Sequence, residues 1–171
     1  MHLLIKRASP LTTIQDNGRF GMLRHGVAAS GPMDRGAFHR CGAMLGTKST
    51  AGIEFTRAGL EFSIREGCTQ AAFDGGVFQL RHNGDPCRWP AVLKLQDGDR
   101  VEITPGEAGN YGYVRFSAEI DVPVVLGSRA TSSIAGLFGA TPGAVGRSRR
   151  PVSARASRPF SQRRVRDIQE P

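Results

Sequence analysis

Through the middle of the chain, apolar side chains recur at every second position in short runs separated by polar and glycine-containing turns. Ile53 and Phe55 begin this pattern, and Leu60, Phe62 and Ile64 continue it. A period of two places successive side chains on opposite faces of a β-strand. The chain also contains 22 glycines among its 171 residues, which indicates many turns. The pattern predicts a mainly β fold of about eight to ten short strands, arranged as a barrel or a sandwich.

One main helix is predicted before the strand pattern begins, from about Asp34 to Leu45. Its apolar stripe at helical spacing comprises Ala37, Phe38, Cys41, Met44 and Leu45. Asp34 is a suitable N-cap because its carboxylate can accept from free backbone N–H groups. Gly46 is a suitable stop because glycine adopts the left-handed conformation that ends many helices.

Two further strand predictions concern the second half of the chain. Leu93–Leu95 and Val101–Ile103 flank the pair Asp97-Gly98, which is typical of a hairpin turn. Val122–Leu126 is a continuous apolar run, which predicts a strand buried on both faces.

The apolar pattern ends near residue 139, and we place a domain boundary there. Residues 1–139 form the predicted β-domain, and residues 140–171 are predicted to be a disordered, arginine-rich tail. From residue 147 onward there are eight arginines and two acidic residues, so this segment carries +6 of the total net charge of +8. It contains too few apolar residues to offset the entropy of ordering. The remainder is therefore almost neutral, and we expect no specific nucleic-acid partner, although non-specific binding through the tail is an alternative.

The composition favours a cytoplasmic protein without a metal site. Cys41, Cys68 and Cys87 form no CxxC pair, and a sparse, odd set of cysteines is typical of a reducing compartment. No segment is apolar over the length needed to span a membrane. The four histidines show no metal-ligand spacing. Gly42–Ser49 resembles a phosphate-binding loop, but its spacing is wrong and it follows a helix rather than preceding one.

Three polar clusters are candidates for a functional site. Gln15–Arg19 is a turn dense in hydrogen-bonding groups, Ser30–Asp34 precedes the helix, and Gly127–Thr131 follows the predicted buried strand. Taken one at a time, the first two are better explained by turn and capping chemistry than by a functional role. The third is a glycine-led loop of the kind that can bind an anion.

Taken in order along the chain, these clusters resemble the biotin-dependent carboxyltransferase family, which includes the C subunit of 5-oxoprolinase, also described as the second subunit of allophanate hydrolase. The resemblance covers residues 3–135 and is carried by the segments Thr12–Arg19, His25–Val27, Ser30–Asp34, Leu45-Gly46, Glu54, Ile120–Pro123 and Leu126–Arg129. Departures from the family pattern include Cys41-Gly42 and Ala118-Glu119. Members of the family are longer and carry a second lobe, so we hypothesise that this chain is a truncated or frameshifted product. Sequencing the locus for the missing lobe in another frame tests that hypothesis.

The resemblance implies a cyclophilin-like β-barrel that serves as one component of an ATP-dependent 5-oxoprolinase, which hydrolyses the cyclic amide of 5-oxoproline to glutamate. The A and B subunits of 5-oxoprolinase would be the partners, and ATP would act through the complex. Two alternatives remain open at this point. One is a biotin-dependent carboxyltransferase of the urea carboxylase type, and the other is a non-catalytic barrel that only binds its partner protein.

Under this resemblance, residue roles follow from what opening an amide ring requires. Such a reaction needs a proton donor and a group that stabilises the developing negative charge. Asp16 and Asp34 are therefore the predicted acid and base. The predicted substrate-binding residues are Gln15, Arg19, Ser128 and Arg129.

Overall fold

Ten strands in the described residues form one antiparallel sheet that curls into a half-barrel. The computed structural model describes residues 1–47, 49–137 and 152–155, the last four by their backbone alone. The strands are β1 (His2–Ala8), β2 (Thr13–Gln15), β3 (Gly52–Thr56), β4 (Leu60–Arg65), β5 (Thr69–His82), β6 (Asp85–Cys87), β7 (Ala91–Leu95), β8 (Arg100–Phe116), β9 (Glu119–Ile120) and β10 (Val152–Arg155). A helix, α1 (Arg35–Leu45), and a short 3-10 turn, Leu23–His25, lie between β2 and β3. The predicted mainly β fold with one main helix is confirmed.

Strand β8 organises the sheet because it pairs along both of its edges. On one edge, its first residues pair with β4 and its last residues pair with β3. On the other edge it pairs with β5, with two irregularities in register between Gly75 and Phe78. The path through the sheet runs β2-β3-β8-β4-β1-β10-β9, and β5 carries β6 and β7. Strand β2 thus reaches β8 through β3 alone, which brings the N-terminal segment beside the second half of β8.

The two faces of the sheet bury different sets of side chains. The concave face holds the main core, whose largest fully buried members include Phe55, Phe62, Phe73, Phe116, Ile53 and Ile64. On the opposite face, Ala72 and Tyr113 pack against α1. This division follows from the period of two, since Phe73 and Val114 belong to the main core while their neighbours Ala72 and Tyr113 belong to the helix side.

The helix begins and ends where the sequence predicts. The Asp34 side chain accepts a hydrogen bond from the Ala37 N–H at 2.9 Å, and Gly46 adopts a left-handed conformation after the last turn. The residues of α1 that are buried against the sheet are Ala37, Phe38, Cys41 and Gly42. Burial in this apolar contact raises the pKa of the Cys41 thiol to about 12.

A buried arginine fills the space between α1 and the sheet. The Arg115 guanidinium lies 4.7 Å from the centre of the Phe38 ring and donates to the backbone oxygens of Phe38 and Ser49. A β-carbon at Gly42 would collide with this guanidinium, and one at Gly52 would lie 2.6 Å from Arg115 Cγ. The two glycines therefore make room for the arginine. Burial lowers the pKa of Arg115.

The predicted hairpin at Asp97-Gly98 is wrong. Strands β7 and β8 flank this turn, but β7 pairs with β5 and β8 pairs with β4. The Asp99 carboxylate accepts from the Gln96 N–H, which closes the turn locally. The Gly98 N–H donates to the Ile64 carbonyl of β4 at 3.1 Å, so the chain passes to a new neighbour instead of folding back.

The predicted buried strand at Val122–Leu126 is also wrong. This segment is irregular, with an isolated bridge between Val125 and Ser128, and Val124 is 54% exposed. Pro123 has no N–H to donate and is therefore unsuited to a central strand. The loop that follows begins from a surface segment rather than from the core.

Only four residues of the predicted tail are described. Val152–Arg155 forms β10, which pairs with β1 and β9. These four residues therefore lie in a backbone ladder within the predicted tail, and the boundary near residue 139 stays a prediction. The other residues of segment 140–171, and with them the rest of the prediction of disorder, lie outside the described residues. Within the described part of the chain, no helix has the length and apolar character needed to cross a membrane.

The turn between β3 and β4 gives a prediction about stability. Gly59 has a φ of +83°, and a β-carbon there would collide with the Ile103 carbonyl oxygen. Gly84 has a φ of +95° but open space around it. We expect Gly59→Ala to lower the free energy of unfolding by about 2 kcal/mol or more, and Gly84→Ala by about 1 kcal/mol. Chemical denaturation of both variants measures the difference, and equal losses would contradict the proposed collision.

Candidate functional site

Four polar residues lie in one row across the helix-side face of the sheet because they are paired from strand to strand. Thr13 of β2 is paired with Glu54 of β3, and Glu54 is paired with Tyr113 of β8. Tyr113 is in turn paired with Asp74 of β5. Directly paired residues project from the same face. Asp74 is buried and accepts two hydrogen bonds from Arg40 of α1, at 2.6 and 3.3 Å, which ties the helix to the end of the row.

The Glu54 carboxyl is buried at the centre of this row. Its Oε2 accepts from the Met33 N–H at 2.7 Å and from the Tyr113 hydroxyl at 2.9 Å. The Tyr113 hydroxyl itself accepts from the Asp34 N–H at 2.7 Å. Within the described residues, Glu54 Oε1 accepts no hydrogen bond. Burial raises the pKa of Glu54, although both donors oppose the shift. The carboxyl therefore keeps its proton to a higher pH than an exposed glutamate does.

Glu54 lies in the wall of an open pocket of about 300 Å³. The pocket is lined by Leu11, Thr13, Gln15, Ala28, Ser30, Gly31, Met33, Glu54, Tyr111, Thr131, Ser132, Ser133 and Ile134. Its wall combines hydroxyl groups with three large, exposed apolar side chains, those of Leu11, Met33 and Ile134. A few polar groups set among apolar ones are typical of a small-molecule site.

Gln15 joins the pocket to the loop that forms its far wall. Its Nε2 donates to the Thr13 hydroxyl at 2.9 Å and to the Thr131 carbonyl at 3.4 Å. The Thr131 N–H donates to the Ile14 carbonyl at 2.8 Å, so the loop runs alongside β2. Gln15 is 5% exposed, and its Oε1 has no hydrogen-bond partner among the described residues.

Asp16, Ser128 and Arg129 are brought together, but in a buried clamp beside the pocket rather than in its lining. Asp16 Oδ1 accepts from the Ser128 hydroxyl at 2.6 Å, and Oδ2 accepts from the Arg129 N–H at 2.6 Å. Oδ1 also accepts from the Gly18 N–H. The Arg129 side chain lies 3.9 Å from Glu119. The clamp fastens the loop after residue 127 to the turn after β2.

Arg19 strengthens the same clamp. Its side chain is 2% exposed and donates to the backbone oxygens of Val125 and Ala130 and to the Ser30 hydroxyl. Its backbone N–H donates to the Ala29 carbonyl at 2.7 Å. Arg19 thus holds three segments together. Its guanidinium is engaged by these groups and is not part of the pocket lining.

Asp34 is separated from this clamp. Its carboxylate caps α1 and its N–H donates to Tyr113, so it lies next to the Glu54 group without lining the pocket. Of the six site residues predicted from sequence, only Gln15 lines the pocket. The catalytic roles of Asp16 and Asp34 and the binding roles of Arg19, Ser128 and Arg129 stay predictions.

Glu54 and Tyr113 are the residues that sequence reasoning did not place in the site. A signal was present in the strand pattern. Ile53 and Phe55 point into the main core, so Glu54 must point to the opposite face, which α1 covers. A carboxylate on a face that a helix buries is unusual, because burial of a charge is costly.

Among the described residues, no group of three or more His, Cys, Asp or Glu side chains is arranged to hold a metal ion. Gly42 and Gly46, from the segment that resembles a phosphate-binding loop, lie in the last turns and at the end of α1. The C-terminal end of a helix carries a negative partial charge and therefore repels phosphate.

Residues 25–166 match the family described as the carboxyltransferase domain, subdomain A and B. The chain belongs to this carboxyltransferase-domain family. A urea amidolyase from Lachancea kluyveri is 33% identical over 130 residues, which are 75% of this chain and 7% of that protein. The C subunit of 5-oxoprolinase from Escherichia coli is 29% identical over 139 residues, which are 80% of this chain and 44% of that protein.

The structure of the Kluyveromyces lactis urea amidolyase has a similar carboxyltransferase-domain fold. It superposes with a TM-score of 0.72 and 29% identity over 76% of this chain and 8% of that one. The chain thus spans less than half the length of the curated relatives described above. These relatives are enzymes or subunits of enzymes, as their names state.

The clamp gives a prediction about the loop that it fastens. Asp16→Ala removes the acceptor of three hydrogen bonds, and we expect it to lower the free energy of unfolding by about 2–4 kcal/mol. Hydrogen exchange should accelerate at residues 128–131 beyond this global effect. Asp85→Ala, at an exposed position in β6, is the matched control and should change neither quantity. Unchanged exchange in the loop of the Asp16 variant would show that the clamp does not hold it.

The raised pKa of Glu54 gives a prediction about pH. The folded state binds the proton more tightly than the unfolded state, for which the ordinary value is 4.5. The stabilisation from the protonated carboxyl is complete below that value and is lost as pH rises through the folded-state pKa. We expect the stability of wild type relative to Glu54→Gln to fall as pH rises above 4.5. Thermal unfolding of both proteins from acid to neutral pH measures this, and parallel curves would contradict it.

Proposed function

We propose that this chain is the C-type component of an ATP-dependent 5-oxoprolinase and that it contributes Glu54 to opening the cyclic amide. The proposal is supported by the relatives from Escherichia coli and Haemophilus influenzae that are named as the C subunit of 5-oxoprolinase. The observation that carries it is the buried Glu54 carboxyl in the wall of a pocket of about 300 Å³. This volume is at the lower end of the usual range for small-molecule sites.

The chemistry of Glu54 suits the cleavage of an amide bond. When the bond between carbonyl carbon and ring nitrogen breaks, the nitrogen leaves as a strong base and must receive a proton. A carboxyl with a raised pKa keeps a proton available nearer to neutral pH. Because Oε2 is occupied by two donors, Oε1 is the oxygen that would carry and deliver this proton. Tyr113 and the Met33 N–H would hold the carboxyl in position.

The ATP-dependent step is assigned to the A and B subunits of the enzyme. The helix end at Gly42 and Gly46 does not fit a phosphate-binding loop, and ATP would therefore bind to the partner subunits. The apolar side chains of Leu11, Met33 and Ile134 around the pocket suit a surface covered by a partner. We propose that this assembly acts in the cytoplasm, in keeping with the sparse cysteines.

The clamp residues take a supporting part in this proposal. Asp16, Arg19 and Ser128 would keep the wall at residues 131–134 at a fixed distance from β2. Arg129, whose side chain is 28% exposed, is the proposed contact for a substrate carboxylate. Asp34 would act through Tyr113 rather than on the substrate.

An assay of turnover tests the proposal. The chain is mixed with the A and B subunits of 5-oxoprolinase, 5-oxoproline and ATP, and glutamate is measured. We expect turnover that depends on this chain, and a kcat about 10²-fold or more lower for Glu54→Gln. Glu107→Gln, at an exposed position in β8, is the matched control and should behave as wild type. Absence of glutamate from the complete mixture would contradict the assignment to 5-oxoprolinase.

A carboxyltransferase of the urea carboxylase type is the second candidate, because the Lachancea kluyveri urea amidolyase is 33% identical to this chain. Biotin would then supply the carboxyl group, and Gln15 and Glu54 are the pocket residues available to its ureido ring. Parallel assays with urea, bicarbonate, ATP and a biotinylated carrier separate the two candidates. Binding to the B subunit of 5-oxoprolinase without turnover on either substrate would indicate a non-catalytic barrel.

A further inference from the structure

Gln15 places a buried, unpaired acceptor in the pocket wall. Six buried polar side-chain atoms in the described residues have no hydrogen-bond partner, and of the residues that hold them only Gln15 lines the pocket. A buried acceptor without a partner is unfavourable, and such a group invites explanation by a ligand. The unpaired atom is Oε1 of the Gln15 amide, and its natural partner is an N–H or O–H donor.

The orientation of the Gln15 amide is fixed by its neighbours. The backbone oxygen of Thr131 can only accept a hydrogen bond, so the amide nitrogen must face it. Oε1 therefore faces away from Thr131. The terminal torsion of glutamine is broad, so a small adjustment of the amide toward a donor in the pocket can keep the hydrogen bonds of Nε2 to Thr13 and Thr131.

The register of the sheet places Gln15 and Glu54 on the same face. Gln15 is paired with Gly52, and Thr13 is paired with Glu54, so both side chains project from neighbouring positions of adjacent strands. Gly52 has no side chain to separate them. A small ring in the pocket can therefore contact both the Gln15 amide and the Glu54 carboxyl.

We infer that Gln15 makes the pocket selective for a ligand ring that presents an N–H, by accepting a hydrogen bond from that N–H through Oε1. This inference rests on the proposed function and deepens it. It names the residue that distinguishes a cyclic amide from a lactone, in which oxygen replaces the ring N–H. In the plane of a lactam, the N–H points at Gln15. The nitrogen lone pair that appears as the ring opens is then directed toward the proton on Glu54.

A pair of ligands tests the selectivity. The full chain is titrated with 5-oxoproline and with its lactone analogue, in which oxygen replaces the ring N–H, and binding is followed by protein NMR. We expect wild type to bind 5-oxoproline about tenfold or more tightly than the lactone. Gln15→Met, which keeps the volume but removes the acceptor, should bind both rings equally. Gln79→Met, at an exposed position in β5, is the matched control and should keep the preference.

The remaining outcomes decide against the inference. Equal binding of the two rings by wild type, a preserved preference in Gln15→Met, or no binding of either ring would overturn it. If Gln15→Met does not fold, isotope-labelled 5-oxoproline bound to wild type replaces that comparison. A downfield shift of its ring N–H proton on binding supports the inference, and an unshifted proton overturns it. If the complex turns over 5-oxoproline but the chain does not prefer it to the lactone, only this inference is wrong. If the chain prefers 5-oxoproline but the complex gives no turnover, only the assignment to 5-oxoprolinase is wrong.

Discussion

The hydroxyl group of Tyr113 joins the start of the helix to the sheet, and the geometry of the pocket depends on it. It donates to Glu54 in the neighbouring strand and accepts from the Asp34 N–H at the start of α1. A phenol has one hydrogen to donate and lone pairs to accept, so it can satisfy a carboxylate and a backbone N–H together. Met33 completes the arrangement from the chain just before the helix. The position of α1 and the direction of the Glu54 carboxyl are therefore set by the same contact.

Two polar networks lie side by side with different tasks. In the clamp, Asp16, Arg19 and Ser128 are buried, and both carboxylate oxygens of Asp16 accept hydrogen bonds. These contacts hold the loop backbone after residue 127 in place. Within the described residues, the pocket network leaves Gln15 Oε1 buried without a partner, and Glu54 accepts hydrogen bonds at Oε2 alone. A polar group in a small cavity that lacks a hydrogen-bond partner indicates a ligand or a reaction there, whereas a fully hydrogen-bonded network makes the structure rigid. The polar clusters in the sequence therefore predicted the residues of the clamp better than those of the pocket.

The sequence predicts those features of the fold that are local in origin. The ends of α1 follow from Asp34 and Gly46, and the class of the fold follows from the alternation that starts at Ile53. What the sequence does not carry is the choice of strand partner. Asp97-Gly98 forms a turn as predicted, yet the strand after it pairs elsewhere, because pairing depends on which edges are free in three dimensions. The candidate site shows the same limit. Gln15 was predicted because it lies in a polar cluster. Glu54 lies between two core residues in sequence, and its place in the site becomes visible only when β8 brings Tyr113 beside it.

Asp16 and Ser128 meet across 112 positions of sequence, and this separation has a consequence for synthesis of the chain. Folding rates fall as contacts join residues farther apart in sequence, and chains leave the ribosome from the N-terminus. The turn after β2 emerges early but must wait for the loop at Ser128 before its carboxylate finds a partner. Until then the Arg19 guanidinium lacks its hydrogen-bond acceptors at Val125 and Ala130, which come later in the chain. The pocket therefore cannot be complete before the loop at Ser128 has been made, and a nascent chain arrested before Ser128 would present its first strands without a finished pocket.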